Sequence, residues 1–151
     1  EKNVKQLWIM GGDFTQSRVE HNFKCDIDAA RIVLESKIPI SILDLPSSQK
    51  AIIRTKEIDQ IGRTPQLGSL LHSEIMSWIQ SRNQDWTIPH DPIAALALLA
   101  PEFFETSLAG QVKIDADGMS FWKESELGNV KLLNPIDPES AVQRMIELIT
   151  N

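Results

Sequence analysis

Two short apolar runs, "QLWIM" (Gln6 to Met10) and "IPISILDL" (Ile38 to Leu45), flank an amphipathic stretch, "DIDAARIVLES" (Asp26 to Ser36). The first closes at Gly11-Gly12 and reads as a buried strand followed by a loop. The second is rich in β-branched residues and bounded by Pro39 and Pro46, which marks another strand. Between them, Asp26 is placed to cap a helix that carries Ala29, Ile32 and Val33 on one face. Strand, helix and strand linked this closely form a βαβ unit, and such a unit implies a parallel sheet covered by helices. No other pattern in the chain restricts the choice of fold as much.

The remaining segments fit that architecture. A polar stretch at Ser47 to Lys50 precedes a short helix expected at Ile52 to Ile61. The longer "LGSLLHSEIMSWIQSR" sets Leu67, Leu70, Leu71, Glu74, Ile75 and Trp78 at helical spacing, with His72 off the stripe as a solvated residue. "GQVKIDADGMSFWK" reads as a hairpin turning at Asp117-Gly118. "GNVKLLNPID" reads as a further strand, and "DPESAVQRMIELIT" as a closing amphipathic helix capped by Asp137. The expected class is therefore α/β: a Rossmann-like, mostly parallel sheet flanked by helices, with a C-terminal β-hairpin and closing helix. The chain shows no internal repeat, low-complexity segment or interdomain linker.

Composition excludes several functions. The 151 residues suffice for one globular domain, and no apolar run is long enough to span a membrane. The segment "EKNVKQLWIMGG" lacks the apolar length and small-residue cleavage site of a signal peptide. A single cysteine, Cys25, rules out an internal disulfide framework and fits a reducing, cytoplasmic setting. A net charge of −6, with no Lys/Arg cluster, argues against nucleic-acid binding. One cysteine and three scattered histidines make a zinc site a poor expectation, and the four tryptophans read as core or interface residues. Phosphate-binding glycine loops, CxxC and GxSxG are all absent.

Two polar clusters remain. In "TIPHDPIAALALLAPEFF" (Thr87 to Phe104), Asp91 and Pro92 suit the N-cap and first turn of an apolar helix, whereas His90 has no structural reason to be there. In "RVEHNFKCD" (Arg18 to Asp26), Glu20, His21 and Asn22 follow the Gly-Gly loop at the carboxyl end of a strand, where open α/β sheets bind ligands. A carboxylate and an amide there can both hydrogen-bond hydroxyl groups, and an ordinary polar loop would carry the same residues.

Taken in order, "LWIMGGDF", "EHNFKCDIDAARIVLESKIPI" and "PHDPIAALALLAPEFF" resemble the inosine-uridine preferring nucleoside hydrolase family. The likeness covers nearly all of the chain. It implies hydrolysis of the N-glycosidic bond of a nucleoside through an oxocarbenium-like transition state, releasing ribose and a free base. It also implies residue roles. Asp91 matches a calcium ligand, and calcium would bind the ribose 2′- and 3′-hydroxyls and the attacking water. Glu20 and Asn22 match ribose-hydroxyl ligands, Met10 would lie against the sugar, and His90 matches the general acid for the departing base.

The chain departs from the family pattern in ways that shape the expectation. The family's Asp-x-Asp-x-Gly-x-Asp-Asp cluster, which supplies most calcium ligands and the catalytic base, is absent. The Gly12 to Glu20 loop is short, no Gly-Asn pair stands where many members carry a ribose-binding Asn, and His21 stands where an aromatic residue is usual. Family members run to roughly twice this length. The resemblance therefore implies the C-terminal portion of a nucleoside hydrolase domain, inactive alone, with calcium bound only when the missing aspartates are supplied. The alternative is a non-catalytic binding or structural module that keeps the fold. A second copy or the missing N-terminal half is the expected protein partner, and the sheet should then show an exposed or covered edge.

Overall fold

In the computed structural model, which describes residues 3–16, 18–65 and 67–150, the first apolar run is strand β1 (Leu7–Met10). The chain's start at Glu1 lies outside the described residues. Helices α1 (His21–Cys25) and α2 (Ile27–Leu34) carry the chain over to β2 (Ile40–Leu43). The two strands pair in parallel, Leu7 opposite Ile40 and Met10 opposite Leu43, as the βαβ pattern requires. There follow α3 (Leu45–Ser48), β3 (Ile53–Arg54), α4 (Thr55–Gly62), α5 (Gly68–Ser81), β4 (Trp86–Thr87) and α6 (His90–Leu99). A single 3-10 turn at Pro101–Phe103 leads to β5 (Phe104–Thr106), the hairpin β6 (Gly110–Ile114) and β7 (Ser120–Glu124), then β8 (Val130–Ile136) and α7 (Pro138–Thr150).

The main sheet has the order β1-β2-β8-β6-β7, with β5 also paired to β8. Its central ladders, β1 with β2 and β2 with β8, are parallel; β5 and the β6–β7 hairpin add antiparallel margins. β3 and β4 form a separate two-stranded ribbon. Side-chain alternation along each strand divides the apolar residues between two faces. Ile40, Ile42, Val130 and Val112 pack under α1 and α2 with Phe23 and Leu34. Leu43 and Leu133 pack on the other face with Ile58, Ile79, Ile93 and Met145 from α4 to α7. Ile40, Ile42 and Leu43 are almost wholly buried, each contributing about 1.5–3 kcal/mol of transfer free energy. No helix among the described residues is long and apolar enough to cross a membrane.

Several expected details are corrected. Most of the apolar stripe of α5 points outward: Leu67, Leu70, Leu71 and Trp78 are exposed, while Ile75 packs against the core and Gly68 and Ile79 are buried. His72 is not simply solvated, since its ring lies against Gly62 and its Nε2 is 3.0 Å from Asp59 Oδ1. On α2, Ile32 is exposed and Leu34 is buried, so the inward face is shifted from Ala29–Ile32–Val33. The segment at Ile52 to Ile61 begins as β3 before becoming helical at Thr55. The hairpin turns over Asp115 to Met119, where the Asp115 carboxylate accepts from the Asp117 and Met119 N–H groups and Gly118 takes a positive φ of 90°. Asp26 and Asp137 cap as their positions suggest, accepting from Ala29 N and Ser140 N respectively. Of the tryptophans, Trp8 and Trp122 pack against the core, whereas Trp78 is exposed beneath Arg82, 4.0 Å from its ring centroid.

Candidate active site

The carboxyl ends of β1 and β2 are shaped by glycine at one position and aspartate at another. Gly12 has a φ of 78°, a conformation that L side chains rarely adopt, and a Cβ there would stand 2.7 Å from the Phe14 ring. Asp44, directly after β2, accepts the Ser47 N–H at 2.9 Å and starts α3. The Gly-Gly loop and α3 are tied by the Leu45 N–H, which donates to the Gly12 carbonyl at 2.9 Å.

Glu20 organises the first half of this region. It is buried, and its Oε1 accepts from Asn22 N at 2.8 Å. Its Oε2 accepts from Phe23 N at 3.0 Å and from Gly12 N at 3.1 Å. Glu20 is therefore the N-cap of α1 and the clamp that holds the Gly-Gly loop against it. Asn22 is exposed and its Nδ2 donates to the Met10 carbonyl at 3.2 Å, lying 3.3 Å from Met10 Sδ. Among the described residues its amide oxygen accepts no hydrogen bond. Met10 and Asp91 line the same open groove of about 530 Å3 between β1 and α6, which joins the two sequence clusters in space.

The second half is the start of α6. Pro89, not Asp91, is the N-cap: its carbonyl accepts from Ile93 N at 3.0 Å, and His90 and Asp91 already lie within the first turn. The capping role expected of Asp91 is thus corrected, and among the described residues its exposed carboxylate has no hydrogen bond. The His90 imidazole is half-buried, with Nδ1 2.8 Å from Ser48 Oγ. Burial pushes it below the usual histidine range, against the opposing pull of the Asp91 and Glu20 carboxylates. Both carboxylates are therefore close enough to His90 to act on its charge.

Two residues escaped sequence reasoning. Asp13 is buried and fully used: its carboxylate accepts from Thr15 N, Gln16 N and Arg18 Nε, and its own N–H donates to Ser120 Oγ. Ser48, also buried, holds His90. The one available signal was position, because both follow a strand end in a parallel sheet. A metal site is not complete here. Among the described residues no cluster of three or more His, Cys, Asp or Glu could hold an ion. Calcium takes six to eight oxygens, whereas Asp13 and Glu20 are committed to backbone N–H groups and Asp91 offers one free carboxylate.

Comparison with known proteins agrees with this geometry. The pyrimidine-specific ribonucleoside hydrolase RihA of Citrobacter koseri is 28% identical over 116 residues, covering 70% of this chain and 37% of the relative. Its Shewanella baltica counterpart is 30% identical over 113 residues, covering 68% and 35%. Among solved structures, the plant nucleoside hydrolase PpNRh1 superposes with a TM-score of 0.85 at 21% identity, covering 99% of this chain and 54% of that one. The purine-preferring ribonucleoside hydrolase from Gardnerella vaginalis gives a TM-score of 0.83 at 19% identity, covering 96% and 52%. The chain thus spans well under half the length of these curated relatives and about half that of the solved structures. The model of the inosine-uridine preferring nucleoside hydrolases matches residues 1–147, and the chain belongs to that family.

Proposed function

We propose that the chain carries one side of a nucleoside hydrolase site and acts only when further polypeptide pairs with β1 and supplies the remaining carboxylates. The observation that carries this reading is the meeting of Met10, Glu20, Asn22, His90 and Asp91 at the ends of β1 and α6, with Asp91 uncommitted. The Asn22 amide oxygen is available to accept from a ribose hydroxyl. Glu20 has one donor on Oε1, so a single lone pair remains there for a second hydroxyl. Met10 lies beside Asn22 and offers the sugar an apolar wall. His90, once it has taken up a proton from solvent, delivers that proton to the departing base, and its reduced hold on it favours the transfer.

Calcium is the ion the reading implies, with Asp91 as one of its ligands. When bound it would orient the ribose hydroxyls and the attacking water. The residues described here do not make that site alone, so no catalytic step of this chain depends on it. The substrate is a nucleoside, and the base is left to experiment because relatives include pyrimidine-specific and purine-preferring enzymes.

The test is release of free base from inosine and from uridine, by the chain alone and by the chain with a complementary N-terminal half from a family member. Release with the second half and calcium, and none without them, supports the reading. Turnover by the chain alone contradicts it. No release from a correctly assembled pair would favour a non-catalytic module that keeps the fold.

A further inference from the structure

The Ser48 hydroxyl has one proton and two neighbours. Its Oγ lies 3.0 Å from the Leu45 carbonyl, which can only accept, so the proton is committed there. The contact with His90 Nδ1, at 2.8 Å, must then be filled by a proton from the imidazole. Ser48 is wholly buried, so water does not compete for either bond. Its backbone is fixed as well: Ser48 N donates to Asp44 O at 3.0 Å, and α3 is anchored to the Gly-Gly loop through Leu45 N.

We propose that Ser48 is the positioning residue of His90, holding the ring as the Nδ1–H tautomer so that Nε2 is the nitrogen that exchanges its proton with substrate. This rests on the reading of His90 as the proton donor to the base. In the neutral ring Nδ1–H donates to Ser48 and Nε2 carries the lone pair. In the protonated ring the same Nδ1–H bond persists and the added proton sits on Nε2. The ring therefore gains and gives up its proton without turning, which keeps the donor aimed throughout turnover. The Leu45 carbonyl, Ser48 hydroxyl and imidazole form one directional chain whose polarity is set at the carbonyl.

Long-range proton–nitrogen correlation spectra of the 15N-labelled chain at neutral pH read the tautomer directly, with His90 assigned by the loss of its signals in His90→Gln. The expected result is a protonated Nδ1 and an unprotonated Nε2. Ser48→Ala should reverse this to the Nε2–H form that a free histidine side chain prefers, and Ser48→Thr should preserve it. An unprotonated Nδ1 in the unsubstituted chain overturns the proposal, and that spectrum decides even if Ser48→Ala fails to fold. In protein completed by the second half, Ser48→Ala should lower kcat by about tenfold at unchanged KM, the lower end of what an outer partner of a functional histidine contributes. Ser48→Thr should restore kcat; an equal loss in both variants would reduce Ser48 to packing and overturn the proposal. A chain with the Nδ1–H tautomer that hydrolyses nothing refutes the hydrolase reading and leaves the positioning role standing.

Discussion

At one margin of the sheet β7 runs Ser120, Phe121, Trp122, Lys123 and Glu124, alternating in exposure and ending in charges. At the other, β1 runs Leu7, Trp8, Ile9 and Met10 with no polar residue among them. β7 is built as a natural edge: charged side chains discourage pairing, and Val19 bridges Met119 at its start. β1 has the composition of a strand buried on both faces inside a parallel sheet, yet among the described residues β2 is its one neighbour. Apolar grooves flank it on both sides. Leu98 and Leu99 stand exposed beside the α6 groove, and Val33 is exposed beside the one formed with α2. The difference teaches that β7 is protected as a sheet edge whereas β1 is not, as the proposed pairing of further polypeptide with β1 requires. The candidate site lies at the β1 margin, and in the proposed reading the polypeptide that pairs with β1 also brings the carboxylates the site lacks.

The largest effects are expected at that margin once it is completed. In a base-release assay, Asp91→Ala should lower turnover by at least about 100-fold, because loss of a metal ligand removes several kcal/mol of transition-state stabilisation. His90→Ala should lower kcat by about 10²- to 10⁴-fold with little change in KM, the range for losing a general acid. Full activity in either variant would detach the site from the β1 margin.

Next in size is the link between the margins. Asp13 follows β1, and its N–H bonds Ser120 at the start of β7. Burial works to raise the Asp13 carboxyl, but the Gln16 N–H, the Arg18 guanidinium and the Thr15 N–H outweigh it and hold it below the usual aspartate range. A group with a depressed folded pKa adds stability that is present above its unfolded value and is lost as pH falls through the folded one. Asp13→Asn should therefore cost about 1–3 kcal/mol near neutral pH, and the gap from the unsubstituted chain should close under acid conditions. Thermal unfolding followed across pH reads this; a gap that widens in acid would reverse the sign.

Smaller still is the effect of protecting the edge. Leu7→Lys should weaken self-association of the isolated chain, and docking of a complementary half, by about tenfold, roughly 1.4 kcal/mol. Phe121→Lys on β7 should change neither. Sedimentation of the two variants side by side makes the comparison, and equal behaviour would erase the distinction between the margins. Smallest is Leu70→Gln on the outer face of α5, which should alter stability by no more than about 0.5 kcal/mol. A larger loss in chemical denaturation would mean that face is packed rather than exposed.

What was legible in the sequence was local. β1, α2, β2, the hairpin, β8 and α7 each carry their pattern within a few residues, and the three motifs in order carried the family. The direction of α5 was not legible, because both of its faces are apolar and periodicity does not say which one meets the core. α1 was missed because glutamate is an uncommon N-cap, and Asp91 was mistaken for a cap because the usual Asp-Pro signal here falls within the first turn, two residues after the true cap Pro89. β3, β4 and β5 are two or three residues long, too short to show alternation. The bond between Ser48 and His90 joins residues 42 apart, a contact that exists only after folding. The convergence of Met10, Asn22 and Asp91 is tertiary in the same sense, and the family likeness alone gave reason to expect it.

Amide hydrogen exchange along β1 tests the central claim most directly. The register with β2 sends the Leu7 and Gly11 N–H groups to Pro39 and Leu43, so the Trp8 and Met10 N–H groups point away from the sheet. Trp122 on β7 likewise points its N–H outward, because Phe121 and Lys123 face β6. The account predicts fast exchange at Trp8 and Met10 in the chain alone, and strong slowing when a complementary N-terminal half is added, with Trp122 unchanged. Trp8 and Met10 amides already protected in the monomeric chain, or unaltered by a half that binds, would contradict it.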